Sequence, residues 1–152
     1  MPRNSSRSRR SGCPISIALE RFGDPWSLLI VRDAMFKGLR TFNQFQQAGE
    51  GIASNILSDR LDRLGRSGIL SKEPDPDDGR RFVYRLTAKG MALAPMLVEL
   101  VLWSSTYEDT DAPRATVKEM REQRARFLRG VRSRWQAPRA RPARARSALG
   151  WK

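Results

Sequence analysis

The sequence predicts a mostly α fold of the α+β class. Three observations predict it. Apolar residues recur at helical spacing from Ile15 to Leu64. Two short alternating runs then bracket the turn-forming stretch PDPDDGR. A nearly continuous apolar stretch follows, from Met91 to Trp103.

Residues 1–12 are rich in Ser and Arg and are expected to form a disordered basic arm. Pro14 suits the start of a short helix running to Phe22, with Ile15, Leu19 and Phe22 on one face. In GDPWSLLIVRDAMF, Asp24 is placed to cap a second helix and Pro25 fits its first turn. Trp26, Leu29 and Ile30 make one apolar stripe and Leu28, Val31 and Met35 another, so this helix is expected at the centre of the core. RTFNQFQQAG reads as a third helix. Thr41 and Gln44 have capping-box spacing, and Phe42 and Phe45 point inward.

The next helix lies in IASNILSDRLDRLGRSG. Leu57, Leu61 and Leu64 form one buried seam, and Asn55, Ser58, Asp59, Arg60, Asp62, Arg63 and Arg66 occupy the opposite face. Ser54 is suited to cap it, and Gly65 and Gly68 suit its end. ILSKE and RFVYRL read as two short strands. Between them, Pro74 and Pro76 interrupt a continuous strand and Asp78-Gly79 marks a tight turn. Thr87 is a good cap for a long helix reaching Tyr107, which Pro95 should kink. Leu93, Met96, Leu97, Val98, Leu100, Val101, Leu102 and Trp103 give it more apolar surface than one small domain can bury, which points to a second copy of the chain. After EDTDAP, Thr116 and Glu119 repeat the capping-box spacing. Val117, Met120, Phe127, Val131 and Trp135 keep roughly helical spacing.

Helix, helix, helix, helix, strand, turn, strand, helix is the order of a winged helix-turn-helix with a two-stranded β-wing and a long C-terminal dimerisation helix. The wing tip is DPDDGRR. Asp75, Asp77 and Asp78 shape the loop, and Arg80 and Arg81 stand where they could meet a phosphate backbone or a minor groove. The expected organisation is a basic arm at 1–12, a DNA-binding domain with its dimerisation helices at 13–108, a linker and accessory helix at 109–135, and a disordered Arg/Pro/Ala-rich tail at 136–152.

Charge supports a nucleic-acid partner. The chain carries +13, distributed as +4 in residues 1–13, −2 in 14–112 and +11 in 113–152. Basic ends on a near-neutral domain find polyanions, most often nucleic acid. There is no histidine and one cysteine, Cys13. No metal-ligand cluster, phosphate loop or paired carboxylates suggest catalysis, so neither an enzyme nor a metal or other cofactor is expected. WSLLIV, the longest apolar run near the N-terminus, is too short to span a bilayer, and no signal-peptide core follows the basic start. The expectation is a soluble, cytoplasmic, nucleoid-associated protein without membrane contact.

The residues also resemble the HxlR-type transcriptional regulators, relatives of the MarR group. The resemblance rests on Cys13-Pro14, GDPWSLL from Gly23, RTFNQF from Arg40, GIASNILSDRL from Gly51, LTAKG from Leu86, and LAPML…LW, and it covers about Cys13 to Trp103. It implies a winged-helix homodimer that represses or activates transcription. Dimerisation would use the N-terminal and long C-terminal helices, here through Ile15, Leu97, Leu100, Val101 and Trp103. Family members often carry Ser where Ala53 stands, and their wings are commonly richer in proline than this one.

On this reading, Ser54, Asn55, Ser58 and Asp59 lie near the start of the recognition helix and would reach base edges in a major groove. Asn55 suits adenine and Asp59 cytosine. Arg60, Arg63 and Arg66 lie further along and would meet phosphates, with Thr41 and Asn43 touching the backbone from the preceding helix. The bland alternative is a solvated helix face. A two-fold dimer implies a pseudo-palindromic operator on double-stranded DNA. Two switches are open. In HxlR-type redox sensors the cysteine matching Cys13 is the sensor, and Arg9, Arg10 or a helix N-terminus could activate it. A small effector could instead occupy a pocket lined by Trp26, Phe42 and Trp103. The rivals are a non-specific architectural protein driven by its basic arms and a protein-interaction module.

Overall fold

The computed structural model describes residues 9–137. It places α1 at Pro14–Phe22, α2 at Ser27–Phe36, α3 at Phe42–Gln46, α4 at Ser54–Arg66, β1 at Leu70–Pro74 and β2 at Phe82–Leu86. These are followed by α5 at Ala88–Met91, α6 at Ala94–Tyr107, α7 at Arg114–Glu122 and α8 at Arg124–Gln136. The strands form one antiparallel pair, with Leu70 opposite Leu86 and Pro74 opposite Phe82. The mostly helical winged helix-turn-helix expected from the sequence is the fold observed.

Local chemistry explains most boundaries. Asp24 Oδ1 accepts from the Trp26 and Ser27 backbone N–H groups at 2.9 and 3.0 Å, so it caps the turn that leads into α2 rather than the helix itself, whose N-cap position is Trp26, two residues later than expected. The Thr41–Gln44 capping box forms in full. Gly68, at φ 74°, ends α4, and the Ile69 N–H turns back to Leu64 O at 3.0 Å. Thr87 ties three elements together: its hydroxyl donates to Gly68 O at 2.5 Å and accepts from Gly90 N at 3.1 Å.

Four further local expectations are corrected. Pro95 does not kink a continuous helix: the chain breaks at Ala92–Leu93, and Pro95 falls in the first turn of α6, where its missing N–H costs nothing. Thr116 and Glu119 form no cap, because α7 already starts at Arg114. The accessory segment is two helices, parted at Gln123. Ser54 does not cap α4 either. Ala53 holds the N-cap position without a side-chain bond, and Ser54 is the first helical residue.

One core joins α2 through α8. Val31, Leu57, Leu61, Leu64 and Val98 lie fully inside it. Met120 of α7 and Phe127 and Val131 of α8 belong to the same cluster, with the Phe127 and Phe36 rings 6.2 Å apart. The accessory helices are therefore docked. Trp135 adds a specific tether: its Nε1–H donates to Leu86 O, at the end of β2, at 2.9 Å. By contrast, α1 buries no residue fully, and its Ile15 is 71% exposed. No helix among the described residues is long and apolar enough to cross a membrane. The expected arm and tail lie largely outside the described residues.

Candidate nucleic-acid interface

The strongly two-sided character of α4 sets the site. Its three leucines are sunk in the core, so Ser54, Asn55, Ser58 and Asp59 are held outward on its first two turns, and Arg63 and Arg66 are exposed further along. The turn entering α4 needs two left-handed residues, and Gly49 at φ 96° and Gly51 at φ 72° supply them. Between these glycines, Glu50 accepts from Arg32 Nη1 at 2.8 Å. Arg32 also donates through Nε to the buried Asp33 at 2.8 Å, and Lys37 lies 3.3 Å from the same carboxylate. Burial opposes the Arg32 charge, but Glu50 and Asp33 outweigh it and raise the guanidinium's pKa. This network ties the helix-turn-helix turn to α2, and nothing in local sequence spacing signals it.

Arg60, expected to meet a phosphate, is engaged within the chain. Its Nε–H donates to Asp24 Oδ1 at 2.9 Å and its Nη1 meets Asp59. Because Asp24 sits beside the start of α2, Arg60 is drawn onto the flank of α4. Thr41 is likewise engaged, its hydroxyl accepting from Gln44 N at 3.3 Å, whereas Asn43 is exposed.

The wing is shaped by its acids, as the sequence suggests. Asp75 Oδ1 accepts from Asp77 N at 2.9 Å, Asp78 Oδ1 accepts from Arg80 N at 3.1 Å, and the Arg81 N–H closes the turn on Asp78 O at 2.9 Å. Arg81 Nε lies 3.3 Å from Asp78, and the Arg80 side chain is 93% exposed. Lys72 stacks over the Phe82 ring at 4.4 Å. At the wing's base, Tyr84 N donates to Arg40 O at 2.7 Å, which fixes the sheet to the start of the helix-turn-helix.

The dimer-surface residues divide. Leu97 lies in the chain's own core at 5% exposure and offers no surface, and Val101 is partly covered; Ile15, Leu100 and Trp103 remain open, joined by Leu19 and Tyr107. Trp103 stacks on Tyr107 at 5.6 Å. Trp26 and Phe42 pack against the core while Trp103 is open to solvent, so these three do not enclose the effector pocket expected of them. Cys13 is exposed at the N-cap of α1, where its carbonyl accepts from Ile17 N at 3.0 Å; the Arg10 guanidinium donates instead to the Ser16 hydroxyl at 3.5 Å, and the Arg10 backbone N–H donates to the Glu20 carboxylate at 3.1 Å. Among the described residues, no cluster of His, Cys, Asp or Glu could hold a metal ion.

An exposed polar helix face, set beside a basic-tipped wing on a helical core, defines the helix-turn-helix regulators as a class. The HxlR-like helix-turn-helix family matches residues 21–112, and the chain belongs to that family. The HTH-type transcriptional regulator Rv3095 of Mycobacterium tuberculosis (strain ATCC 25618 / H37Rv) is 38% identical over 99 residues, 65% of this chain and 61% of the relative. The chain thus matches about three fifths of the length of such curated relatives. PA1607, solved as a candidate transcription factor, is 38% identical with a TM-score of 0.62, over 72% of this chain and 80% of its own. The redox regulator HypR in its oxidised form is 25% identical with a TM-score of 0.57, over 64% of this chain and all of its own. The family and its relatives are transcriptional regulators rather than enzymes.

Proposed function

We propose that the chain is a homodimeric, sequence-specific transcriptional repressor of the bacterial cytoplasm, associated with the nucleoid, that binds a pseudo-palindromic operator. The observation that carries this reading is the outward polar face of α4 over its fully buried leucine seam. Ser54, Asn55, Ser58 and Asp59 read base edges in a major groove. Arg63, Arg66, Asn43 and the Thr41 hydroxyl meet phosphates, and Arg80 and Arg81 carry the wing to the backbone. Arg60 acts indirectly, by holding α4 against Asp24. The exposed Ile15, Leu19, Leu100, Trp103 and Tyr107 form the two-fold interface. Residues 13–108 are the DNA-reading unit, 109–135 brace it, and the basic ends add phosphate contacts that ignore sequence.

The test is fluorescence anisotropy of the full-length protein against its own upstream intergenic DNA and a scrambled duplex, over a salt series. Much tighter binding to its own DNA at physiological salt supports the reading. Equal binding that vanishes with salt would favour an architectural protein driven by its ends, and no salt-dependent binding would favour an interaction module.

A thiol switch is a second reading, favoured by the exposure of Cys13 and by the likeness to a protein described as a redox regulator. With one cysteine, oxidation gives an intersubunit disulfide, a mixed disulfide or a sulfenic acid. Cys13→Ser should make DNA binding insensitive to diamide and peroxide, and unchanged sensitivity would end the idea.

A further inference from the structure

The family match stops at residue 112, yet α8 reaches back to the wing and closes a cleft against it. The cleft holds about 710 Å³, within the size range of small-molecule sites, and is bounded by the end of α2, the loop to Arg40, both strands and the end of α8. Its charges are not balanced. Lys37 is met by Asp33 at 3.3 Å, and Glu73 by Arg85 at 3.9 Å. Arg40 and Arg134 both line the cleft, and neither guanidinium has an ion-pair or hydrogen-bond partner among the described residues. Its apolar wall is Tyr84, Leu86 and Trp135. The indole is fixed by its N–H bond to Leu86 O and still 39% exposed.

We propose that this cleft binds a small organic anion, with its carboxylate between Arg40 and Arg134 and its apolar body on Trp135. Two cations without partners in one cleft favour a carboxylate, because a charge-assisted bond to guanidinium is among the stronger polar contacts available. The half-open indole supplies apolar surface that a ligand's body would cover. Such a ligand would touch β2, the strand that carries the wing, which ties the site to the proposed function. Binding itself is independent of that function and is measured without DNA.

The experiment is calorimetric titration of the full-length protein with 2-naphthoate and with 2-naphthalenemethanol, which has the same ring body and no charge. Naphthoate should bind at least about ten-fold more tightly, and the double variant Arg40→Gln/Arg134→Gln should remove that advantage while Arg40→Lys/Arg134→Lys keeps most of it. Neither guanidinium supports the fold by a described contact, so the melting temperature of both variants should stay at the wild-type value. The proposal is overturned by no naphthoate binding at millimolar concentration, by equal affinity for the neutral analogue, or by undiminished binding in the glutamine variant. It is overturned too if the glutamine variant weakens binding to a random duplex but leaves naphthoate binding intact, since the two arginines would then be DNA-backbone contacts.

Discussion

Arg60, midway along α4, reaches 2.9 Å to the carboxylate of Asp24, thirty-six residues earlier. Asp24 also accepts from Ser27 Oγ at 2.5 Å and from the Trp26 and Ser27 N–H groups. One carboxylate therefore caps the turn into α2 and orients the helix proposed to read DNA. Asp24→Ala should strip the cap and leave Arg60 without this partner, destabilising the protein by about 2–3 kcal/mol. Urea denaturation should show a lower midpoint at an unchanged m-value.

The same group sets an acid limit. Burial favours the neutral acid, but the Ser27 hydroxyl, the Trp26 and Ser27 N–H groups and Arg60 outweigh it, bringing the Asp24 pKa from 3.8 to about 2. A carboxylate depressed on folding contributes stability that is fully present above its unfolded value and is lost as pH falls through its folded value. Between pH 5 and pH 2 the wild type should lose on the order of 1–2 kcal/mol that Asp24→Asn does not lose, a figure discounted for partial exposure. Parallel urea melts of the two proteins across this range check it.

Gly90 is buried where α5 crosses the start of β1, and a Cβ there would collide with the Ile69 carbonyl and the Leu86 side chain. Backbone cannot yield as a flexible side chain can. Gly90→Ala should therefore destabilise by about 2–4 kcal/mol, despite alanine's better helix propensity. Thermal unfolding followed by circular dichroism measures this. A neutral result would show that α5 can shift away from the strand.

The residues proposed for the dimer interface lie outside the core cluster, so charge placed there should separate subunits without unfolding them. Leu100→Glu/Trp103→Glu is expected to run as a monomer in light scattering, with its melting transition still cooperative. Leu97→Glu would be a misleading variant, because its side chain is core and its loss would unfold the chain.

What the sequence revealed was local. The leucine seam of α4, the Thr41–Gln44 box and the Thr87 cap each depend on residues three or four apart, and all three stand in the structure. Proline was ambiguous, because the same residue kinks a helix or opens one, and only the packing of Ala94 and Leu97 decided that Pro95 opens α6. The break at Gln123 has no proline or glycine to announce it; it lies between Met120 and Phe127, both of which are buried. Long-range polar contacts left no trace. Asn55 and Arg60 look alike as polar positions on one helix, but Arg60 is drawn away by a partner thirty-six residues distant, as Arg32 is by Glu50 and Trp135 by Leu86.

The two kinds of DNA contact proposed should separate cleanly in salt. Asn55 on the first turn of α4 is placed for base edges, so Asn55→Ala should cost about 1–3 kcal/mol at the operator and almost nothing on random DNA. Arg80, almost fully exposed at the wing tip, is proposed to meet a phosphate and no base edge. Arg80→Ala should weaken both duplexes equally and reduce the slope of log affinity against log salt by about one. Deleting residues 138–152 removes Arg139, Arg141, Arg144, Arg146 and Lys152, and should likewise weaken every duplex in proportion while flattening the slope further. Anisotropy titrations at several salt concentrations distinguish the cases. If the deletion weakened only the operator complex, the tail would be reading sequence, and specificity could no longer be assigned to α4 alone.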